Sequence, residues 1–195
     1  GGNLSITATT GNITQGVAVA VGGTSTFVTS ADDATIALTT DSNAFTGALL
    51  ITTNDASGDV TIDGGTTGLI MGLSTIDGDL ALRSGAAITD TGVATVRGTL
   101  SATTDAGNSA ITLDQLAVDG AFTLAPNGNG AVTVVNDAGL NLAASTMGGT
   151  FSGTATTGDI SDSGNLAITG AATFITGASG SNIILDASGN AFSNA

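Results

Sequence analysis

The 195-residue chain has no Cys, His, Trp, Tyr, Lys or Glu. Each absence removes a class of explanation. Without Cys there is no disulfide framework, which suits a chain that crosses an oxidising compartment and must avoid wrong pairings. Without His, Lys, Tyr or Glu, most of the usual general acids and bases are missing. The only cations are Arg83 and Arg97 against 16 Asp, a net charge of −14. Phosphate binding needs clustered Lys and Arg, so no nucleic-acid partner is expected. The same charge keeps a sticky β-protein soluble. Aromatics are only 3%, so a core must be built from Val, Ile, Leu and Ala, which fill thin spaces better than a wide globular interior. No apolar run approaches the ~18 residues of a spanning helix, so a chain that does not cross the membrane is expected. The opening "GGNLSITA" lacks a charged n-region and an apolar h-region, so any signal peptide is expected outside this stretch.

What is present points to strands. Hydrophobic content is 41% with mean hydropathy +0.40, enough apolar surface to exclude disorder. Thirty glycines weigh against helices at about 1 kcal/mol each relative to Ala, whereas Thr, Val and Ile favour strands and Gly, Asn and Asp favour tight turns. Apolar residues alternate in very short units such as "LSI" (4–6), "VAVAV" (17–21), "IAL" (36–38), "VTI" (60–62), "LAL" (80–82), "VTV" (132–134) and "LAI" (166–168). Sandwich and barrel strands usually run ~5–6 residues. Strands this short fit a solenoid, in which each is stacked between equivalents in neighbouring coils.

Internal repetition supports this choice. "DSNAFTGALLI" (41–51) returns as "DQLAVDGAFTL" (114–124), and "ATIAL" (34–38) returns as "SAITL" (109–113) and "SNIIL" (181–185). "STIDGDLAL" (74–82) matches "STMGGTFSG" (145–153), while "GNITQGVAVAVGGTSTF" (11–27) matches "AAITDTGVATVRGTL" (86–100) and "GDISDSGNLAITGAATF" (158–174). The super-repeat is therefore about 73 residues, with units near 11–85, 86–157 and 158–195 in a single β-solenoid segment, 1–195. Strong strands near Leu4, Phe27, Leu49, Leu80, Leu100, Phe122, Phe151 and Phe174, counted as one per coil, predict about eight coils. Each unit would then hold three coils, or four smaller ones. At ~4.8 Å per stacked strand, the rod would be roughly 40 Å long. The chain begins and ends inside a repeat, so the expected neighbours are further repeats of a longer array or other copies stacked end to end.

The phrases "GNLSITA", "GNITQ" and "NAFTG", in this order, resemble the repeats of filamentous-haemagglutinin-type, two-partner-secreted exoproteins. The resemblance extends over essentially the whole chain. It is clearest in 2–62 and 158–192, and weaker where "AITDTG" replaces "GNITQG". It implies a right-handed parallel β-helix and a secreted, cell-surface fibre protein of a Gram-negative bacterium. The fibre would be exported by an outer-membrane transporter and would act in adhesion or aggregation on host or neighbouring cells. This stretch resembles the shaft.

Because β-helices also host polysaccharide-cleaving enzymes, the carboxylates need weighing. Asp32/Asp33, Asp77/Asp79 and Asp159/Asp162 are the candidate pairs, but glycoside hydrolysis needs two facing carboxylates at set separation. Gly78 reads as a turn, so solvated turn Asp is expected and no catalytic residue is assigned. No cofactor is expected either. The calcium β-roll nonapeptide and the EF-hand loop are both absent, which leaves Asp32 and Asp33 as weak surface calcium candidates. Thr24/Thr26 and Thr154/Thr156 form Thr-x-Thr pairs that do not recur at coil spacing. Asn3-Leu4-Ser5 and Asn12-Ile13-Thr14 are formal glycosylation sequons. Arg83 and Arg97 are expected to be solvated or paired with nearby Asp. The expected function is structural: a shaft segment, or alternatively a self-assembling filament subunit or a carbohydrate-binding or carbohydrate-cleaving β-helix.

Overall fold

A computed structural model describes residues 1–194. Among them there is no helix, hence none long and apolar enough to cross a membrane. Strands pair in parallel with the equivalent strand one coil away, so the chain is a parallel β-solenoid. Two long sheets run its length. Sheet I begins at Leu4–Ala8 and ends at Ala172–Thr176, and sheet II begins at Ile13–Thr14 and ends at Ile183–Ile184; each passes through nine coils. A coil takes about 21 residues, from 19 where Val132 lies beside Phe151 to 24 where Ser25 lies beside Leu49.

The third side of the coil changes along the stack. In the first two coils it is a small sheet of Ala20–Val21 and Ala44–Phe45 between sheets II and I. In the middle coils Leu69–Met71 and Ile88–Asp90 join sheet I, and Ile111–Val118 turns the corner as one eight-residue strand, with a register shift between Leu113 and Leu116. In the last coils a three-stranded sheet of Ser145–Met147, Leu166–Ile168 and Ala191–Phe192 follows sheet II.

Alternation within each short strand sends every second residue inward, and stacking lays those residues on one another. One ladder of sheet II runs Ile13, Ile36, Val60, Leu80, Leu100 and Phe122 through successive coils, all buried. Burying such a side chain is worth about 1.5–3 kcal/mol, and the full value needs a coil on both sides. Phe27 is 1% exposed, while Ile6 beside it in the first coil is 36% exposed.

The 73-residue super-repeat and the coil of about 21 residues are out of step by half a coil. Equivalent residues therefore alternate between sheets. Ile13 is in sheet II, its counterpart Ile88 joins sheet I, and Ile160 is back in sheet II. Phe27, Leu100 and Phe174 fall in sheets I, II and I. The turn glycines follow the same alternation. Gly47 enters sheet I and its counterpart Gly120 sheet II, and at each a Cβ would strike the backbone of the glycine one coil before, at Gly23 and Gly98 respectively. One super-repeat is thus three and a half coils, neither three nor four, and successive copies occupy opposite sides of the rod.

The same phase corrects the coil count from about eight to nine. The eight anchor strands mix two faces: Leu4, Phe27, Leu49, Phe151 and Phe174 lie in sheet I, but Leu80, Leu100 and Phe122 lie in sheet II. The wide steps from Leu49 to Leu80 and from Phe122 to Phe151 are each one and a half coils. "VAVAV" also contributes less strand than its alternation predicts. Only Ala20–Val21 pair, and Val17 is 76% exposed on the turn.

Candidate functional site

Several buried polar side chains bond the backbone of the neighbouring coil. Ser74 Oγ accepts from Ile51 N–H (3.0 Å) and donates to Gly72 C=O (3.0 Å). Its counterpart Ser145 accepts from Leu124 N–H (3.0 Å) and donates to Ala143 C=O (3.0 Å). Asn43 Oδ1 accepts from Val19 N–H (2.9 Å), as the equivalent Asn190 Oδ1 does from Leu166 N–H (2.8 Å). Asn136, fully buried, accepts from Val118 N–H (2.8 Å) and donates to Val118 C=O (2.9 Å) and Gly139 C=O (2.7 Å). Its side-chain amide thus completes the ladder where the Ile111–Val118 strand loses its backbone partner. These groups cement coils together and are not free for chemistry.

The carboxylates singled out from sequence are spread over turns and mostly committed. Asp32 Oδ1 accepts from Asn54 Nδ2 (2.8 Å). Asp33 has φ of 59°, a left-handed turn position that Asn108 (φ 63°) and Gly180 (φ 88°) fill in the other two copies. Asp and Asn tolerate that conformation better than other side chains, so its chemistry is that of a turn. Asp77 meets Arg97 Nε at 2.8 Å, and Asp79 accepts from Thr99 N–H at 2.6 Å. Asp159 accepts from Asn182 N–H (2.7 Å) and Asp162 from Asp186 N–H (3.1 Å). Each of these bonds joins residues one coil apart. Both arginines are paired: Arg83 Nε reaches Asp105 at 2.8 Å, and this contact, reinforced by Asp63, raises its pKa further. No cluster of three or more Asp able to hold a metal ion occurs among the described residues.

Two arrangements escape sequence reading. The first is a hydroxyl rank on sheet I, where Thr89, Thr112, Thr133, Ser152 and Thr173 are register partners over five coils. No repeated phrase signals it, because its members sit at different offsets within the super-repeat. The second is Asp90. In the outer copies the residues at its position, Gln15 and Asp162, bond the amide side chains of Asn43 and Asn190. In the middle copy Leu116 replaces that Asn, and Asp90 accepts instead from Gln115 N–H (2.8 Å), with Asp114 alongside. Burial raises its pKa above the ordinary carboxylate value of 3.8, against the opposing pull of that N–H.

The concavities are shallow. One of about 300 Å³ is lined by Asp55, Ala56, Asp77, Arg97 and Gly98. Another of about 260 Å³ lies on the outer face of sheet II among Thr61, Asp63, Arg83, Ser101 and Thr103.

The chain belongs to the family described as repeats of unknown function (DUF5649), whose pattern matches residues 1–52, 57–125 and 128–195. No curated protein and no solved structure matches it.

Proposed function

We propose that this chain is a structural shaft segment of a secreted bacterial surface fibre, serving adhesion or aggregation by spacing and stiffness and not by catalysis. The observation that carries the reading is where the polar groups go. Asn43, Ser74, Asn136 and Ser145 inside, and Asp32, Asp79, Asp159 and Asp162 outside, all bond from one coil to another. Such a distribution resists bending and shear along the axis, and these four outer carboxylates are each spent on a neighbouring coil. Export through an outer-membrane transporter and display on the cell surface follow from the sequence resemblance and belong to the same proposal.

The alternative from the sequence, a filament subunit that stacks end to end, is kept as a second reading. Electron microscopy of the purified chain at low and high concentration, with and without calcium, separates the two. Discrete rods of about 40 Å that never extend support the shaft. Rods that lengthen with concentration support the filament. Globular particles, or release of reducing ends from an added polysaccharide, would overturn both in favour of another architecture or of a carbohydrate-cleaving role.

A further inference from the structure

Exposed large apolar side chains occur in two places. Ile6 lies in the first described coil and Ile175, Ile183 and Ile184 in the last, each with a coil on one side, and Val17 lies on a turn of the first coil. Away from the ends, among the described residues, only Leu73 and Val93 are strongly exposed, at 69% and 44%. These two are neighbours. Ser74 N–H donates to Val93 C=O (3.0 Å), and Ser74 pairs with Ala94, so the two side chains sit one above the other in adjacent coils. Half-buried Leu50 lies against Gly72 on one side of them. On the other side Val93, Leu116 and Val135 line a depression of about 180 Å³. The apolar stripe on this corner of the rod runs through three coils, Leu50, Leu73 and Val93, about 10 Å at ~4.8 Å per coil; in the next coil exposed Gln115 takes the position, with Leu116 buried behind it, and Val135 follows one coil further.

Repeat architecture does not require this stripe. The residues equivalent to Leu73 and Val93 one copy further along are Ala144 and Asn165. Asn165 makes the same backbone bond as Val93, its C=O accepting from Ser145 N–H, so the fold works without the apolar side chain. Asp114 and Asp137 rim the depression, and Asp90 lies beside Asp114. No cation answers them, since Arg83 and Arg97 are engaged with Asp105 and Asp77. An apolar strip edged by unanswered carboxylates is complementary to an extended segment that alternates apolar and cationic side chains.

We propose that the Leu50–Leu73–Val93–Val135 corner is a docking surface for a partner protein, engaged through an extended segment bearing apolar side chains between Lys or Arg. A second copy of this chain is a poor occupant, because it would bring a net charge of −14 against the same rim with no free cation to offset it. Burial, with Asp114 adding to it, raises the pKa of Asp90. The proposal is independent of the shaft reading.

The test is fluorescence anisotropy of a labelled peptide alternating Lys with Leu, titrated with the intact chain and with three variants: Leu73→Ser/Val93→Ser, Asp90→Asn/Asp114→Asn, and Asp32→Asn/Asp33→Asn on a distant turn. Because Leu73 and Val93 are exposed, the Ser pair should melt like the parent, which circular dichroism checks. The expected result is saturable binding weakened about ten-fold or more by the Ser pair, weakened with a shallower salt dependence by the Asp90/Asp114 pair, and unchanged by the Asp32/Asp33 pair. Three outcomes would overturn it: no binding by the parent chain, equal binding by the Ser pair, or equal weakening by the Asp32/Asp33 pair, which would mean charge attraction alone. Concentration-dependent dimers in sedimentation that the Ser pair abolishes would reassign the stripe to a second copy.

Discussion

Replacing Asn136 by Ala tests whether a buried amide holds the stack together where the register shifts. Asn136 is fully buried, and its side chain satisfies Val118 N–H, Val118 C=O and Gly139 C=O at 2.7 to 2.9 Å. An Ala leaves those three groups without a partner in a dry interior. Each orphaned buried group costs about 1–3 kcal/mol. Gly139 C=O is only part-buried and recovers some of its bond from water, so the loss should be roughly 3–5 kcal/mol. Urea denaturation followed by circular dichroism measures it, and hydrogen exchange of the Val118 amide localises it, since that proton should lose its protection first. Asn136→Asp separates the parts. It keeps the acceptor for Val118 N–H but turns both donors into a carboxylate facing two carbonyls, so it should destabilise at pH 7 and recover in part when the carboxyl protonates. Asn141, whose Oδ1 makes no hydrogen bond among the described residues, is the control, and Asn141→Ala should lie within about 0.5 kcal/mol of the parent. If Asn136→Ala proves no worse than Asn141→Ala, the amide is not bridging coils and the reasoning fails.

Ser74→Ala and Ser145→Ala should each cost about 1–3 kcal/mol and match one another, because the two serines make the same pair of backbone bonds half a coil out of phase; unequal losses in urea titrations would count against that equivalence. Gly120→Ala should lower the melting temperature sharply, since its Cβ would strike Gly98 C=O, while Gly107→Ala, with open space around it, should leave thermal melting unchanged. Asp90→Asn should stabilise at neutral pH. The folded pKa of Asp90 is raised above 3.8, so the folded chain holds this proton more tightly than the unfolded one. The stability this contributes is complete below the unfolded value and is lost as pH rises through the folded one. The advantage of Asn should therefore appear in melts at pH 7 and vanish below about pH 4.

Much of the architecture is legible in the sequence because it is written in local terms. Period-two units such as "IAL" and "LAL", Gly and Asx punctuation, and an aliphatic alphabet dictate short strands with thin cores, and the recurrence of "DSNAFTGALLI" as "DQLAVDGAFTL" exposes the super-repeat. Sequence similarity, however, reports which residues have equivalent surroundings, not which side of the rod they face. Phe45 and Val118 align, yet one lies in the small third sheet and the other in sheet I. The half-coil phase, and with it the ninth coil, exists only once strands about 21 residues apart have closed their hydrogen bonds. The candidate surface is decided at the same level. Leu73 and Val93 are twenty positions apart and become one patch because the backbone rises a single strand spacing in a full circuit. Composition fixed what kind of core this chain could build; stacking fixed which of its side chains would meet outside that core, because neighbours across coils are set by circuit length and not by adjacency along the chain.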